Sequence, residues 1–361
     1  MNRAEGALLL LLRAGLWGKK PEDMSLFPLS ADEWEKVYGE ARRQTVSGWV
    51  YRGIGFLSED LLPPQRVMFR WIVDVDRIEQ RNETMNRCLV ELTGLLEEKG
   101  IRAVVQKGQG VAALYEEPLL RECGDIDLYF PKEDDRRRAE SWLHEQGKTL
   151  ERKADGSTAY TWRQIEVEHH PALFDLSRPK MQDYLTELIA EKGFDSITLG
   201  NGGRIWIPAA ELNLLLLNVH ILKHAMGRGI GLRQFCDMAR AYQVLGMQVD
   251  GEEMKRMYEH TGIGAWSRLL HVFLIKILGM PTACLPYREE VAESVEPLLD
   301  IVWRGGNFGK YEENRRKQES SVIYRKWETC RAFFRNAHFS MKYAPQEAIH
   351  TFRQLMTGQF K

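Results

Sequence analysis

The sequence predicts an α+β protein, with a small mixed-sheet core flanked by helical regions on its N-terminal and C-terminal sides. Apolar residues recur every three or four positions before residue 98 and again after residue 208, a period typical of amphipathic helices. Between these regions, short β-branched segments alternate with glycine and proline turns, which indicates strands. A chain of 361 residues exceeds what one core usually fills. We therefore predict three regions: helical over 1–98, α/β over 99–208 and helical over 209–361.

The N-terminal region contains a helix start and one long helix. Ser30 is followed three residues later by Glu33, which is the capping-box pattern. The proline pair at 63–64 interrupts the helical period, because proline lacks the backbone donor that a helix needs. Apolar residues then recur on a helical period over 65–99, and Gly100 follows. We expect this segment to form one long packed helix.

The middle region alternates between predicted strands and short helices. The predicted strands are 101–105, 126–130, two segments on either side of the turn at 155–156, 165–170 and 204–207. The predicted helices of this region are 111–115 and 134–146. After residue 209 the period is helical again, and the predicted helices are 212–225, 238–245, 266–278 and 323–334.

Charge and cysteine content narrow the class of function. Fifty basic residues against fifty-one acidic ones leave almost no net charge, so nucleic acid is an unlikely partner. The five cysteines are scattered without a CxxC pair, which favours a reducing cytoplasm. The apolar run at 7–12 ends at Arg13 and is too short to span a bilayer. We expect a cytoplasmic protein with no membrane partner and a short amphipathic helix at this run.

The most informative motif is Gly124 to Leu128, in which Asp125 and Asp127 lie two residues apart where a predicted strand begins. Carboxylates two residues apart on a strand emerge on the same face, so they can share one divalent cation. Oxygen ligands of this kind suit Mg²⁺ (or Mn²⁺). The alternative is a solvated strand end, since an Asp-x-Asp pattern is common by chance. We interpret the pair as a metal site.

Two further features near this motif suit phosphate. Lys107 and Gly108 end the first predicted strand just before a helix, and such a turn presents backbone N–H groups to an anion. Arg121 lies shortly before the carboxylates, and a guanidinium can bind phosphate oxygens in a bidentate manner. We predict that these residues hold a triphosphate.

A second pair of carboxylates, Glu166 and Glu168, occupies alternate positions of a later predicted strand. If that strand lies beside the first, one or both glutamates join Asp125 and Asp127. Three carboxylates suit a two-metal site, and one glutamate could accept the proton of an attacking hydroxyl. The alternative is the wet face of an alternating strand. Which glutamate is the third carboxylate stays open.

These elements together resemble a known group. A Lys-Gly after the first core strand, Arg121 before the Gly-Asp-Ile-Asp-Leu element, and Glu168 two residues before His170 are typical of the bacterial family of uncharacterised nucleotidyltransferases, within the DNA polymerase β-like superfamily. The resemblance extends to residues 11–18 and to His220 followed by 232–237. It therefore covers most of the chain, loosely.

The resemblance implies a metal-dependent transfer of a nucleoside monophosphate from an NTP to a hydroxyl acceptor, which leaves no recognisable mark in the sequence. Asp125, Asp127 and Glu168, or Glu166 in its place, would bind metal and supply the base. Gln109 departs from the pattern, because the wider superfamily has serine after this glycine. Two alternatives follow: an inactive nucleotide-binding or partner-binding module with the same fold, or a helical scaffold with a structural α/β insert.

Other polar residues have simpler interpretations. His169 and His170 are consecutive on a strand and face opposite ways, so a structural or supporting role is favoured over joint chelation. His220 and His224 are four residues apart on an apolar helix, where packing or phosphate-side contacts are favoured over zinc. For Asp237, an ion pair with the arginine four residues earlier is the simplest expectation, and a place in the cleft is the alternative.

Overall fold

The N-terminal region is helical, as predicted. The structure is a computed structural model that describes residues 1–21, 23–153, 155–176, 178–227, 229–289, 293–306, 331 and 334–356. The first helices are α1 (Arg3–Trp17), α2 (Ala31–Arg43), α3 (Ser47–Ile54) and α4 (Gln65–Glu97), with a 3-10 turn at Glu59–Leu61.

The two sequence signals of this region are confirmed. The Ser30 side chain accepts a hydrogen bond from the Glu33 backbone N–H at 3.3 Å, and the Glu33 carboxylate accepts one from the Ser30 N–H at 2.8 Å. This reciprocal capping box starts α2. Helix α4 is a single helix of 33 residues, and Gly100, with φ of 69°, lies in the left-handed region just beyond its end.

A mixed seven-stranded sheet forms the centre of the described residues, so the predicted α+β class is confirmed. Its strands are β1 (Val104–Val105), β2 (Ile126–Tyr129), β3 (Glu151–Arg152), β4 (Thr158–Trp162), β5 (Ile165–His170), β6 (Phe194–Thr198) and β7 (Arg204–Pro208). The order across the sheet is β3-β4-β5-β2-β1-β7-β6. The β2–β5 and β1–β7 pairs are parallel, and the other pairs are antiparallel.

The remaining helices follow the predicted pattern with some differences. They are α5 (Gln109–Ala112), α6 (Glu133–Glu145), α7 (Pro179–Lys192), α8 (Ala210–Met226), α9 (Leu232–Leu245), α10 (Gly251–His260), α11 (Gly264–Leu278), α12 (Glu296–Gly305), α13 (Ala337–Tyr343) and α14 (Pro345–Met356). Strand β1 starts three residues later than predicted, and helix α5 starts two residues earlier than predicted. The helix predicted over 323–334 lies outside the described residues, apart from positions 331 and 334.

Helix α7 and strand β6 were not predicted, and α10 and α12 to α14 were predicted only as parts of a helical region. Strand β6 pairs only with β7 at the edge of the sheet, and none of its residues is fully buried. An edge strand of this kind lacks the regular alternation of apolar and polar residues that sequence prediction needs.

Two apolar clusters divide the interior. One packs the second half of α4 and helix α6 against one face of the sheet, through residues that include Leu89, Leu143, Ile126, Leu128 and Val167. The other joins α1 to α3 with the C-terminal helices. The two helical regions share this second cluster, and the region boundaries at residues 98 and 208 stay predictions. No helix in the described ranges is long and apolar enough to cross a membrane.

Candidate active site

The two acidic pairs lie on neighbouring strands. In the parallel β2–β5 pair, Ile126 lies opposite Val167, and Asp127 lies opposite Glu168. Ile126 and Val167 belong to the apolar cluster beneath the sheet. Because successive strand residues alternate between faces, Asp127 and Glu168 emerge together on the other face. Glu166 is two residues before Glu168 on β5 and shares this face, which we call the acidic face.

Asp127 is the most strongly held carboxylate of the group. His170 Nε2 donates to its Oδ1 at 2.6 Å, and Lys107 Nζ lies 3.5 Å from the same oxygen. Burial disfavours the charged carboxylate, but Lys107 and the hydrogen bond from His170 outweigh it and hold the pKa of Asp127 well below its usual range. Asp127 is therefore ionised and sits between two cationic or polar partners.

Asp125 shows the opposite shift. Burial, and then the negative charge of Asp127, raise the pKa of the Asp125 carboxyl, although Lys107 acts in the other direction. Glu168 and Glu166 add to the repulsion. The charges of the other carboxylates thus lie close enough to Asp125 to disfavour its ionised form, which is the condition that a bound dication relieves.

Lys153 lies between the two glutamates. Its Nζ is 2.7 Å from Glu168 Oε2 and 3.2 Å from Glu166 Oε1. Burial opposes the charge of the ammonium, but the hydrogen bonds and charges of these glutamates raise the pKa of Lys153. Sequence analysis missed this residue, because no motif marks it and the β3–β4 hairpin alone brings it across to β5.

The Lys107 turn packs directly against the acidic strand. Gly108 has φ of 58°, a left-handed conformation that favours glycine. A Cβ at this position would lie 3.4 Å from the backbone oxygen of Asp125. The turn therefore holds Lys107 beside the carboxylates, as the sequence predicted, and keeps the backbone close.

A comparison with protein families identifies the group to which these motifs belong. The family model described as uncharacterised nucleotidyltransferase matches residues 30–271, which is more than half of the chain and includes every candidate site residue. The chain belongs to this family. The resemblance found in the sequence is therefore confirmed.

One solved structure resembles part of this nucleotidyltransferase-family protein. A crystal structure of an antigenic nucleotidyltransferase-like protein from Paracoccidioides brasiliensis is similar at 14% sequence identity and a TM-score of 0.32, over 47% of this chain and 77% of that chain. No functionally curated protein matches the chain. The family assignment rests on the sequence match.

Gln109 of the nucleotidyltransferase-family protein is turned away from the acidic face. The side chain is 3% exposed, and its Nε2 donates to Asn86 Oδ1 at 2.8 Å and to the Asn82 carbonyl at 3.4 Å, both on α4. Gln109, at the position where the resemblance implies serine, therefore attaches the Lys107 turn to the long helix.

Arg121 has a different position from the one predicted. Its side chain is buried, with Nε and Nη2 each 2.7 Å from an oxygen of Asp237, and its Nη1 donates to Cys123 Sγ at 2.9 Å. All three nitrogens have protein partners, so the geometry does not support direct phosphate binding by Arg121.

Asp237 likewise has other partners than the arginine of its own helix that sequence analysis favoured. Besides Arg121, the Tyr115 hydroxyl donates to its Oδ1 at 2.7 Å. Arg233 Nη1 donates to the Glu122 carbonyl at 2.6 Å. The expectation assumed an exposed helix face, whereas Asp237 is 3% exposed and faces the α/β core.

Helix α8 carries two histidines whose electrostatic surroundings include Lys107. The rings of His220 and His224 meet edge to face, with centroids 4.5 Å apart. Burial lowers the pKa of both imidazoles, that of His224 to about 3, and the charges of Lys107 and Arg233 act in the same direction. The ring contact agrees with a packing role, and the phosphate-side role stays a prediction.

The chemistry of the donors fits Mg²⁺ or Mn²⁺, although the side chains are not yet arranged around one point. In the part of the chain that the structure describes, no three His, Cys, Asp or Glu side chains form a group that could hold a metal as they stand. Lys107 and Lys153 instead neutralise the carboxylates. Carboxylate oxygens that share one face of a sheet are the ligands that these hard cations prefer.

Proposed function

We propose that the protein transfers a nucleoside monophosphate from an NTP to a hydroxyl acceptor and releases pyrophosphate, with Mg²⁺ or Mn²⁺ as cofactor. The observation that carries this proposal is the register that sets Asp127 beside Glu168 on one face of the sheet. The family match supports the class of reaction, since the match includes both strands.

Each residue has a proposed role. Asp125, Asp127 and Glu168 would hold the metal, which when bound supplies charge stabilisation for the triphosphate. Glu166 is exposed. It would either replace Glu168 as the third metal ligand or accept the proton of the acceptor hydroxyl. Lys107 and the backbone of Gly108 would contact the triphosphate, with α8 closing the opposite side.

A second candidate function is a nucleotide-binding or partner-binding module without turnover. Two observations favour it: Gln109 faces α4 instead of the phosphate side, and Lys153 neutralises both glutamates. A nucleotide-binding module would bind NTP without breaking the α–β phosphate bond, and a partner-binding module would not need NTP.

One experiment separates the two candidates. Each of the four NTPs, labelled at the α-phosphorus, is incubated with the protein, Mg²⁺ or Mn²⁺, and a bacterial extract as the source of acceptors. The first candidate predicts transfer of label and stoichiometric pyrophosphate, both lost with a chelator. NTP binding by calorimetry with no pyrophosphate from any extract supports the second. An absence of NTP binding contradicts the first candidate and leaves only the partner-binding form of the second.

Replacement of Lys153 is expected to strengthen metal binding. In Lys153→Met, Glu166 and Glu168 lose the ammonium that now neutralises them, so the site becomes more negative by one charge. We expect the Mn²⁺ dissociation constant to fall by about tenfold. This change corresponds to about 1.4 kcal/mol, which is modest for the loss of a charge in direct contact with Glu166 and Glu168. Titration of Mn²⁺ followed by electron paramagnetic resonance measures it.

The matched control is Lys148→Met. It removes the same charge from a lysine that packs on the Trp162 ring, 5.0 Å from its centroid, and that makes no contact with the glutamates. We expect wild-type Mn²⁺ affinity in this variant. Equal effects of both substitutions would mean that only the overall charge matters, and a weaker Mn²⁺ affinity in Lys153→Met would contradict the role assigned to Lys153.

A further inference from the structure

The chain segment that leads into the acidic strand is held by side chains from the helical regions. This segment, residues 121–124, has no regular secondary structure and ends directly before Asp125. We call it the strap. Because it lies outside the β2 ladder, its backbone carbonyls need partners from elsewhere.

Helix α4 supplies partners from the N-terminal side. Asn82 Nδ2 donates to the carbonyl of Arg121 at 2.8 Å, and to that of Leu119 just before the strap at 2.6 Å. Arg81 Nη2 donates to the carbonyl of Gly124 at 2.7 Å. These bonds fix both ends of the strap against the same helix.

Helix α9 holds the strap from the C-terminal side. Arg233 Nη1 bonds the carbonyl of Glu122 at 2.6 Å. Asp237, one turn further along, receives both ends of the Arg121 guanidinium and the Tyr115 hydroxyl. Arg121 and Asp237 are 5% and 3% exposed. A bidentate ion pair without water access has one geometry, so it transmits the position of α9 to the strap.

We propose that Asp237 is a positioning residue for the reaction: through Arg121 it fixes the strap and thereby places Asp125 beside Asp127 and Glu168. The inference rests on the proposed function, since it takes Asp125 as a metal ligand. A site of this kind tolerates displacements of only a fraction of an ångström. This positioning role also explains why the motif contains Arg121, although its buried guanidinium bonds protein groups.

A single substitution would not test this role, because it would leave a buried charge unpaired and destabilise the fold. The triple variant Arg121→Met, Asp237→Leu, Tyr115→Phe removes the whole polar network and keeps similar volumes. Such replacements of a buried ion pair are often neutral for stability. Stability and positioning are thereby separated.

Two further variants complete the set. Arg121→Lys keeps the charge pair and loses the bidentate geometry. Tyr242→Phe, also on α9, removes buried hydrogen bonds to His271 (2.9 Å) and Tyr258 (3.2 Å), neither of which contacts the strap. It serves as the control for a general loss of stability on the same helix.

The measurements are the Mn²⁺ dissociation constant and urea unfolding of each variant. We expect wild-type unfolding with about tenfold weaker Mn²⁺ binding in the triple variant, a smaller loss of Mn²⁺ affinity in Arg121→Lys, and unchanged Mn²⁺ affinity in Tyr242→Phe. Wild-type Mn²⁺ affinity in the triple variant overturns the role of Asp237 and leaves the proposed function intact. If the triple variant does not fold, wild-type Mn²⁺ affinity in Arg121→Lys has the same meaning. If the wild-type protein binds no Mn²⁺, the proposed function fails with it.

Discussion

Asp127→Asn is expected to reduce pyrophosphate release by about a thousandfold or more, the largest effect that we predict for one side chain. The substitution removes the carboxylate that lies in register with Glu168, and with it the charge that a dication would bind. It also leaves Lys107 and His170 facing a neutral amide. Losses of this size are typical when a group that stabilises transition-state charge is removed.

Pyrophosphate release from NTP is measured at saturating Mg²⁺ and without urea. The temperature is one at which unfolding controls show that the variant is folded. The matched control is Asp195→Asn, the same chemical change on the exposed face of the edge strand β6. We expect wild-type release from this control. Turnover by Asp127→Asn within a few-fold of wild type would exclude the acidic face as the site of catalysis.

The second large effect concerns stability. Helices α1 and α3 cross at glycines: a Cβ at Gly15 would lie 1.8 Å from the backbone oxygen of Trp49, and one at Gly53 would lie 2.0 Å from that of Leu11. Backbone atoms inside two packed helices cannot move independently of them. We therefore expect Gly15→Ala to lower the free energy of unfolding by about 3 kcal/mol.

Urea unfolding of Gly15→Ala and of Gly39→Ala checks this expectation. Gly39 lies in α2, and a Cβ there would meet nothing within 4 Å. Alanine at an open helical position reduces the entropy of the unfolded chain, so Gly39→Ala should raise the free energy of unfolding by about 0.5–1 kcal/mol. Two glycine variants of equal stability would mean that α1 and α3 do not pack this closely.

Much of the fold followed from local periodicity. The capping box of α2, the long α4 and the alternation of β5 are patterns within one element, and each is present as predicted. Strand β6 and helix α7 were missed for different reasons. The edge strand lacks a regular pattern, whereas α7 does bury Met181, Leu185 and Leu188 on a helical period that the prediction overlooked.

The acidic site was predicted in part. The period of a strand requires Glu166 and Glu168 of β5 to share a face, and it extends to Asp127 of β2 but not to Asp125, which directly precedes that strand. That β2 and β5 are neighbours, with Asp127 opposite Glu168, is a property of the sheet order, which no local pattern specifies. The partners of the carboxylates depend on it too, and Lys153 reaches them only through the β3–β4 hairpin.

The sequence by itself determined which residues could share a face and which family's motifs the chain carries, because both depend on spacings of a few residues. Only the tertiary structure decided what those residues touch. Arg121 and Asp237 are 116 positions apart, yet they form a buried ion pair, and Arg121 was predicted to bind phosphate. Contacts across such separations depend on how whole helices and strands pack, and the spacing of residues within one element does not encode that packing.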